Sequence, residues 1–331
     1  MKALFASLSQ LLIVLSLVTF CVGSPQPLFG QDQYTAEEYK AYEEVTAEND
    51  PVQKVGLVIK FFKQYPKSAL SQHVNAAYMQ AMNGFQKNQQ WNQIINLGEQ
   101  YVSVNPDDTY TMALLTGAYQ QTKSYQRFVA FGEKVFARQP SGNLAYYLTK
   151  AYQELGNDAK YLQWGEKTVS LMPNNVEILV ELARRTGMAK RNADAAKYSG
   201  LCVKALDAAT KPEGTPDATW NQYKTSSYAT CYAIAGNVAY ERNDYANAIK
   251  NLESSVRYYK RNDLAYYYLG LSYWQQNKVD IAMLNLAKAF ILKGNASASA
   301  KQHLDNLYKS THGQSLVGQD RVIARAQQDL K

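Results

Sequence analysis

The sequence predicts an all-α solenoid built from stacked helix-turn-helix units. Three segments carry the same Gly-Glu dipeptide, and in each a proline follows eight residues after the glycine. These segments run from Gly98 to Pro106, from Gly132 to Pro140 and from Gly165 to Pro173, so the prolines are 34 and then 33 residues apart. A period of this size, with an apolar run before each proline, predicts helical repeats that bury a continuous core only when they stack.

The N-terminal residues 1–31 have the features of a leader peptide. A basic start is followed by a run of 13 apolar or small residues, Leu11 to Gly23, which is shorter than the roughly 20 residues of a membrane-spanning helix. This layout predicts a signal peptide over residues 1–31, cleaved between Ser24 and Asp32, and hence an exported protein of the periplasm or cell envelope. An uncleaved leader that anchors the protein in a membrane is the alternative. Lipidation at Cys21 is disfavoured because the residue before it is bulky.

Residues 32–331 follow the leader and supply enough apolar side chains for a sizeable core. The whole chain has 35 Lys and Arg against 28 Asp and Glu, and this excess is spread without any block of five like charges. We therefore expect a solvated surface, and neither nucleic acid nor an anionic lipid surface as the partner.

The N-terminal repeats are predicted to occupy residues 32–206. Their first pair comprises Tyr34–Glu48 and Pro51–Gln64. Proline is favoured in the first turn of a helix, where its missing N–H removes no hydrogen bond, so Pro51 marks the start of the second helix. A fifth pair is predicted from Val176 to Ala208, with a less regular pattern.

The repeat period is interrupted once, by an insertion over residues 207–225 that contains Pro212 and Pro216. Two interpretations are open. A loop could place Trp220 beside a binding groove. Alternatively, the next helix could be longer than usual, with Trp220 and Tyr223 covering a neighbouring unit, and this second interpretation is favoured.

Cys202 and Cys231 flank the insertion and are the only cysteines outside the leader. An even pair in an exported chain is compatible with a disulfide, here between adjacent antiparallel helices. Two reduced and buried side chains are the favoured interpretation, since free cysteine is commonly buried.

Residues 226–295 contain the two most regular repeats. The second has Tyr266, Leu269, Gly270 and Tyr273 on its first predicted helix and Ala282, Leu286 and Ala289 on its second; Gly236, Ala248 and Leu252 stand one period earlier. This pattern resembles the tetratricopeptide repeat family, and the leader makes the chain similar to exported bacterial members. The resemblance implies a right-handed α-solenoid of about seven helix pairs plus a C-terminal capping helix within residues 296–331. The central units depart from the pattern, because Thr116 and Thr149 stand where glycine is expected.

In this family a peptide or protein segment lies along a concave groove lined by the first helix of each pair. The resemblance therefore implies partner-binding roles for Tyr110, Tyr146, Lys150, Gln153, Tyr267, Leu271 and Trp274, with Ala113 and Asn143 among the further lining positions. Plain packing between helices is the alternative for each aromatic residue, and Tyr267 and Trp274 are the favoured exceptions. Trp274→Ala is expected to weaken partner binding with little loss of stability.

We predict no catalytic, metal or cofactor site. The three histidines, His73, His303 and His312, have no metal-ligand spacing and are expected on the surface. The sequence contains no Gly-rich phosphate loop, nucleophile elbow or Cys-x-x-Cys motif. Carboxylates such as Glu37-Glu38 and Asp107-Asp108 fall at predicted helix starts, where capping and the helix dipole explain them.

The sequence thus predicts a non-catalytic protein-protein interaction scaffold of the cell envelope or periplasm, which binds a peptide or protein segment along its groove. The alternative is a membrane-anchored subunit or chaperone of an envelope assembly or secretion machine. An enzyme with a site between repeats is the least favoured hypothesis. The identity of the partner and the oligomeric state are left open.

Overall fold

The computed structural model describes residues 34–106 and 108–331, and within these ranges all regular secondary structure is helical. The predicted signal peptide, residues 1–31, lies outside the described residues. No helix in the described ranges is both long and apolar enough to cross a membrane. The all-α repeat architecture predicted from the sequence is confirmed.

Sixteen α-helices follow one another in the described ranges and are joined by short turns in most places. They are α1 (Ala36–Ala47), α2 (Pro51–Gln64), α3 (Ser71–Lys87), α4 (Trp91–Val104), α5 (Thr109–Thr122), α6 (Tyr125–Arg138), α7 (Gly142–Glu154), α8 (Asp158–Leu171), α9 (Val176–Met188), α10 (Asn192–Ala208), α11 (Asp217–Glu241), α12 (Tyr245–Tyr258), α13 (Asp263–Gln275), α14 (Val279–Ile291), α15 (Ser297–Thr311) and α16 (Gln319–Asp329).

The chain divides into two compact units near the start of α4, one ending at Gln93 and one beginning at Ile94. In the first unit α2 packs against both α1 and α3. Pro51 opens α2, and the carboxylate of Asp50 caps it by accepting a hydrogen bond from the Gln53 backbone N–H at 2.8 Å. The proline therefore begins a helix, as the sequence predicts.

The second unit is a series of helix pairs. The helices α7 and α8, α9 and α10, α11 and α12, and α13 and α14 pack as successive pairs, while α15 and α16 both pack against α14. Ala326 of α16 is wholly buried, so this last helix covers apolar surface that α14 would otherwise expose to water.

The glycines of the repeated Gly-Glu dipeptide permit close helix packing. A Cβ atom built on Gly98, Gly132 or Gly165 would lie 2.9 Å from a leucine Cδ2 atom, of Leu115, Leu148 and Leu182 respectively. In each case the leucine lies on the first helix of the next pair, 16 or 17 residues further along the chain. Because any larger side chain would meet this leucine, glycine sets the spacing between successive repeats.

The glutamates of the same dipeptide connect the repeats by hydrogen bonds. Glu133 of α6 accepts hydrogen bonds from Tyr152 Oη at 2.6 Å, Trp164 Nε1 at 3.0 Å and Lys160 Nζ at 3.2 Å. Glu99 likewise accepts from Tyr119 and Arg127, and Glu166 accepts from Tyr198 and Arg191. The dipeptide thus joins one helix pair to the next through both packing and polar contacts.

The insertion contains both a loop and a helix extension. After α10 ends at Ala208, a non-helical segment leads to Pro216, which precedes the 25-residue helix α11. Cys202 of α10 and Cys231 of α11 are wholly buried and form a disulfide with a Cα–Cα distance of 6.4 Å. This bond fixes the extended helix against α10.

Candidate binding surface

Three predicted groove residues share one face of α7. Tyr146, Lys150 and Gln153 are separated by four and three residues, the spacing that aligns side chains on one side of a helix. Lys150 Nζ donates hydrogen bonds to Glu177 Oε1 at 2.8 Å and to Gln153 Oε1 at 3.0 Å. Tyr146 Oη donates to Glu177 Oε2 at 2.9 Å. Tyr146 and Lys150 therefore bind directly to a carboxylate of α9 that the sequence did not single out, and Gln153 is connected to it through Lys150. We call these four residues the α7–α9 cluster.

Glu177 owes its position to the start of α9. The side chain of Asn175 caps this helix by accepting a hydrogen bond from the Ile178 backbone N–H at 3.1 Å, which places Glu177 in the first turn. There its negative charge is favoured by the helix dipole. The Glu177 and Lys150 side chains remain 37% and 23% exposed, so an incoming ligand can reach both.

The electrostatics of the cluster keep Tyr146 a hydrogen-bond donor. Burial raises the pKa of Tyr146, and the nearby charge and hydrogen bond of Glu177 raise it further. A tyrosine with a raised pKa stays neutral at physiological pH and keeps its hydroxyl proton. The Glu177 carboxylate thus accepts from one neutral hydroxyl and one ammonium group.

The extended first turns of α11 bring aromatic surface towards this cluster. Burial raises the pKa of Tyr223, and the charge of Glu177 adds to the effect, which places the phenol within the field of that carboxylate. Tyr223 is 38% exposed and stacks on Trp220, with ring centroids 5.5 Å apart. Helix α11 packs against α9, and its length of 25 residues agrees with the favoured interpretation of the insertion as a longer helix.

A pocket of about 220 Å³ lies among α5, α6 and α7. It is lined by Pro106, Asp108, Thr109, Met112, Ala113, Thr116, Val135, Gln139, Ser141, Asn143, Leu144 and Tyr147. Ala113 and Asn143 are two of the predicted lining positions. Tyr110, also predicted, is half-buried on α5, and burial together with the charge of Asp108 raises its pKa to about 12.

No protein-family model matches this chain, and no curated protein matches it. The solved structures that are similar at low identity include the following three. MamA 41-end from Desulfovibrio magneticus RS-1 is 16% identical with a TM-score of 0.41, over 57% of this chain and 92% of that chain. The C-terminal part of a TPR repeat-containing protein from Cytophaga hutchinsonii is 12% identical with a TM-score of 0.43, over 76% and 93%. YrrB, described as a TPR protein with an unusual peptide-binding site, is 12% identical with a TM-score of 0.40, over 60% and 96%.

Similarity at this level carries no functional implication for this chain. The repeat architecture is inferred from this chain's own features. These are the 33- and 34-residue steps between prolines and the contact of a glycine in one helix with a leucine in the next. The structure therefore shows an all-α array of helical repeats.

The predicted groove residues of the C-terminal repeat form a second, separate group. Leu271 is only 7% exposed and belongs to a hydrophobic core that extends from α12 to α16, so little of its side chain is accessible to a partner. Tyr267 and Trp274 are half-buried, and their ring centroids lie 5.6 and 6.3 Å from that of His303 on α15.

Two of the three histidines are less exposed than the sequence predicts. His303 is half-buried between Tyr267 and Trp274, and its Nδ1 atom is 2.8 Å from the Ser299 backbone oxygen. His73 is half-buried as well, whereas His312 is exposed and stacks on Tyr308 at 3.9 Å. Within residues 34–106 and 108–331, no group of three or more His, Cys, Asp or Glu side chains could hold a metal ion.

Proposed function

We propose that this protein is a non-catalytic scaffold that binds a peptide or protein segment along the face formed by the first helices of successive repeats. The α7–α9 cluster carries this proposal, because it places an accessible ammonium, amide, phenol and carboxylate together on two consecutive first helices. Three of these groups, those of Tyr146, Lys150 and Gln153, occur on positions that the tetratricopeptide resemblance implies for partner contact.

The chemistry of the cluster suits an extended peptide. Glu177 can accept a hydrogen bond from a peptide N–H, while Lys150 and Gln153 can donate to peptide carbonyl groups. Each group would exchange a hydrogen bond within the cluster for one to the ligand, so no buried polar group would lose its partner. Tyr223 and Trp220 add aromatic surface for an apolar side chain beside this polar site.

The same contacts favour binding over catalysis. A nucleophile or a general base needs a neighbouring group that activates it, with the reacting atom left open towards the substrate. In the α7–α9 cluster the carboxylate oxygens of Glu177 instead accept from Tyr146 and Lys150, an arrangement of mutual hydrogen bonding.

We place the protein in the periplasm or cell envelope. The apolar run Leu11 to Gly23 supports export, and the disulfide between Cys202 and Cys231 supports an oxidising compartment. Intact-mass measurement of the protein isolated from its own cells tests whether the leader is cleaved. A start between Ser24 and Asp32 is expected, whereas a chain that begins at Met1 would favour the membrane-anchored alternative.

The binding proposal is tested by affinity capture from an envelope extract of the source cells, with residues 32–331 as bait. The variant Lys150→Ala/Gln153→Ala removes two hydrogen-bond donors from the α7–α9 cluster. Its matched control, Lys134→Ala/Gln126→Ala, removes the same residue types from exposed positions on α6, which is the second helix of its pair and not a first helix. A partner captured by the parent and the control but lost with the first variant supports the proposal, and equal capture by all three proteins contradicts it.

A further inference from the structure

A row of aromatic and basic side chains runs along α11. Trp220, Lys224, Tyr228 and Tyr232 follow at intervals of four residues, which places them along one side of the helix. Lys224 Nζ lies 5.9 Å from the ring centroid of Trp220 and 5.8 Å from that of Tyr228, so the ammonium group bridges two aromatic faces.

Tyr258, the last residue of α12, adds a third tyrosine ring to this row. Its ring centroid is 4.7 Å from that of Tyr228 and 6.0 Å from that of Tyr232, with interplanar angles of 13° and 7°. One face of the Tyr258 ring therefore rests on two nearly parallel rings. The residue is still 39% exposed, so part of its side chain is accessible to a ligand.

Positive charge surrounds this aromatic platform. Arg257, Lys260 and Arg261 are exposed on and just after the last turn of α12, and Lys224 of α11 adds a fourth cation beside the Tyr228 ring. In the part of the chain that the structure describes, none of these four cations forms an ion pair. The cations are therefore available to an anionic ligand.

Three carboxylates lie near these cations, and all three already have partners. Asp207 accepts a hydrogen bond from Tyr228 Oη at 2.6 Å, and Glu253, one turn before Arg257, accepts from Tyr273 Oη at 2.5 Å. Asp263, two residues after Arg261, accepts from the Ala296 backbone N–H at 2.8 Å. Four cations against three engaged carboxylates leave a net positive surface, which attracts anions.

We propose that this platform, formed by Tyr228, Tyr232, Tyr258 and the four cations, binds an acidic polysaccharide that bears uronate carboxylates. The negative face of an aromatic ring attracts the polarised C–H groups on the flat side of a pyranose ring, and Tyr258 presents such a face. A uronate adds a carboxylate for Arg257, Lys260 or Arg261. An acidic peptide would satisfy the cations but has no sugar face for the tyrosine.

Affinity electrophoresis of residues 32–331 in gels that contain polygalacturonate tests this proposal. Gels with neutral dextran, polyglutamate or oligothymidylate identify the other ligand classes. We expect retardation by polygalacturonate alone. Tyr258→Leu keeps an apolar side chain but removes the aromatic face, and it should weaken binding about tenfold, whereas Tyr258→Phe should bind as the parent does.

The charge requirement is tested by Arg257→Gln/Arg261→Gln, with Arg138→Gln, an exposed arginine at the end of α6, as the control. The double variant should lose retardation and the control should keep it. Equal retardation by polyglutamate or oligothymidylate, equal retardation by dextran, or no loss in Tyr258→Leu would each overturn the proposal. Since Tyr258, Arg257 and Arg261 are not part of the α7–α9 cluster, the outcome is independent of the peptide-binding proposal.

Discussion

Gly270 and Leu286 bring α13 and α14 together more closely than any other residue type at position 270 would permit. A Cβ atom on Gly270 would lie 2.6 Å from Leu286 Cγ and 3.1 Å from the backbone oxygen of Ala282. Leu286 is wholly buried, so its side chain has little space into which it can move. The same relationship holds between Gly236 and Leu252 in the preceding repeat.

Gly270→Ala is therefore expected to destabilise the protein, although alanine is the better helix former. The added methyl group would overpack the contact at a cost of about 1–3 kcal/mol, which exceeds the gain of roughly 1 kcal/mol in helix propensity. Urea denaturation of the parent and of Gly270→Ala measures the difference in the free energy of unfolding. Gly200→Ala is the control, because a Cβ atom there meets nothing within 4 Å, and it should stabilise the protein slightly. Two variants of equal stability would argue against the steric role of Gly270.

The sequence predicts this part of the fold well because its signals are local and periodic. The Gly-Glu dipeptide and the following proline give the repeat length directly, and Leu286 stands at a fixed offset from Gly270. The role of the glutamates cannot be predicted from the sequence of one repeat, because the hydrogen-bond donors to Glu133 come from the next two helices. Tertiary contacts decide their role.

Loss of the disulfide between Cys202 and Cys231 should lower stability by about 3–4 kcal/mol. The bond joins residues 29 positions apart, and a loop of that length restricts the unfolded chain appreciably. The double variant Cys202→Ala/Cys231→Ala, compared with the parent by urea denaturation, measures this effect. A reducing agent should destabilise the parent and leave the double variant unchanged; sensitivity of both to the same degree would contradict the assignment.

Glu133 is expected to make part of the stability dependent on pH. Burial alone would raise its pKa, but the hydrogen bonds from Tyr152, Lys160 and Trp164 outweigh burial and hold the pKa below the ordinary value of 4.5. A depressed folded-state pKa contributes stability above about pH 4.5, and this contribution is lost as the pH falls through the folded value.

Glu133→Gln removes this titration. The variant should be less stable than the parent by about 1 kcal/mol near pH 7, and the difference should shrink as the solution is acidified towards about pH 3. Urea denaturation at several pH values measures it, with Glu213→Gln in the exposed loop before α11 as the control. A pH-independent difference would show that the ionised carboxylate does not contribute in this way.

Trp274→Ala should cost stability as well as any binding energy, contrary to the expectation from sequence. Trp274 is half-buried beside His303, and its removal should lower the free energy of unfolding by about 2 kcal/mol. A double-mutant cycle with His303→Ala isolates the contact, for which we expect a coupling of about 0.5–1.5 kcal/mol. Additive effects of the two substitutions would mean that the rings do not interact.

The candidate site was predicted only in part. The resemblance placed Tyr146, Lys150 and Gln153 on one helix face, but a carboxylate in the first turn of a helix is also explained by the helix dipole, so Glu177 gave no distinct signal by itself. The informative signal is spacing: Lys150 and Glu177 stand 27 residues apart, as do Glu133 and Lys160, and both pairs connect equivalent helices of successive repeats. The low exposure of Leu271 could not be predicted without knowing which side of α13 meets the core.

The face used for binding is tested most directly by photo-crosslinking. Gln153 on α7 and, in a separate protein, Gln126 on α6 are each replaced by p-benzoylphenylalanine, and the crosslinked partner is identified by mass spectrometry after irradiation in an envelope extract. Peptide binding along the first helices predicts a partner crosslinked from position 153 and none from position 126. Crosslinking from position 126 alone would contradict the central claim that the α7–α9 cluster contacts the partner.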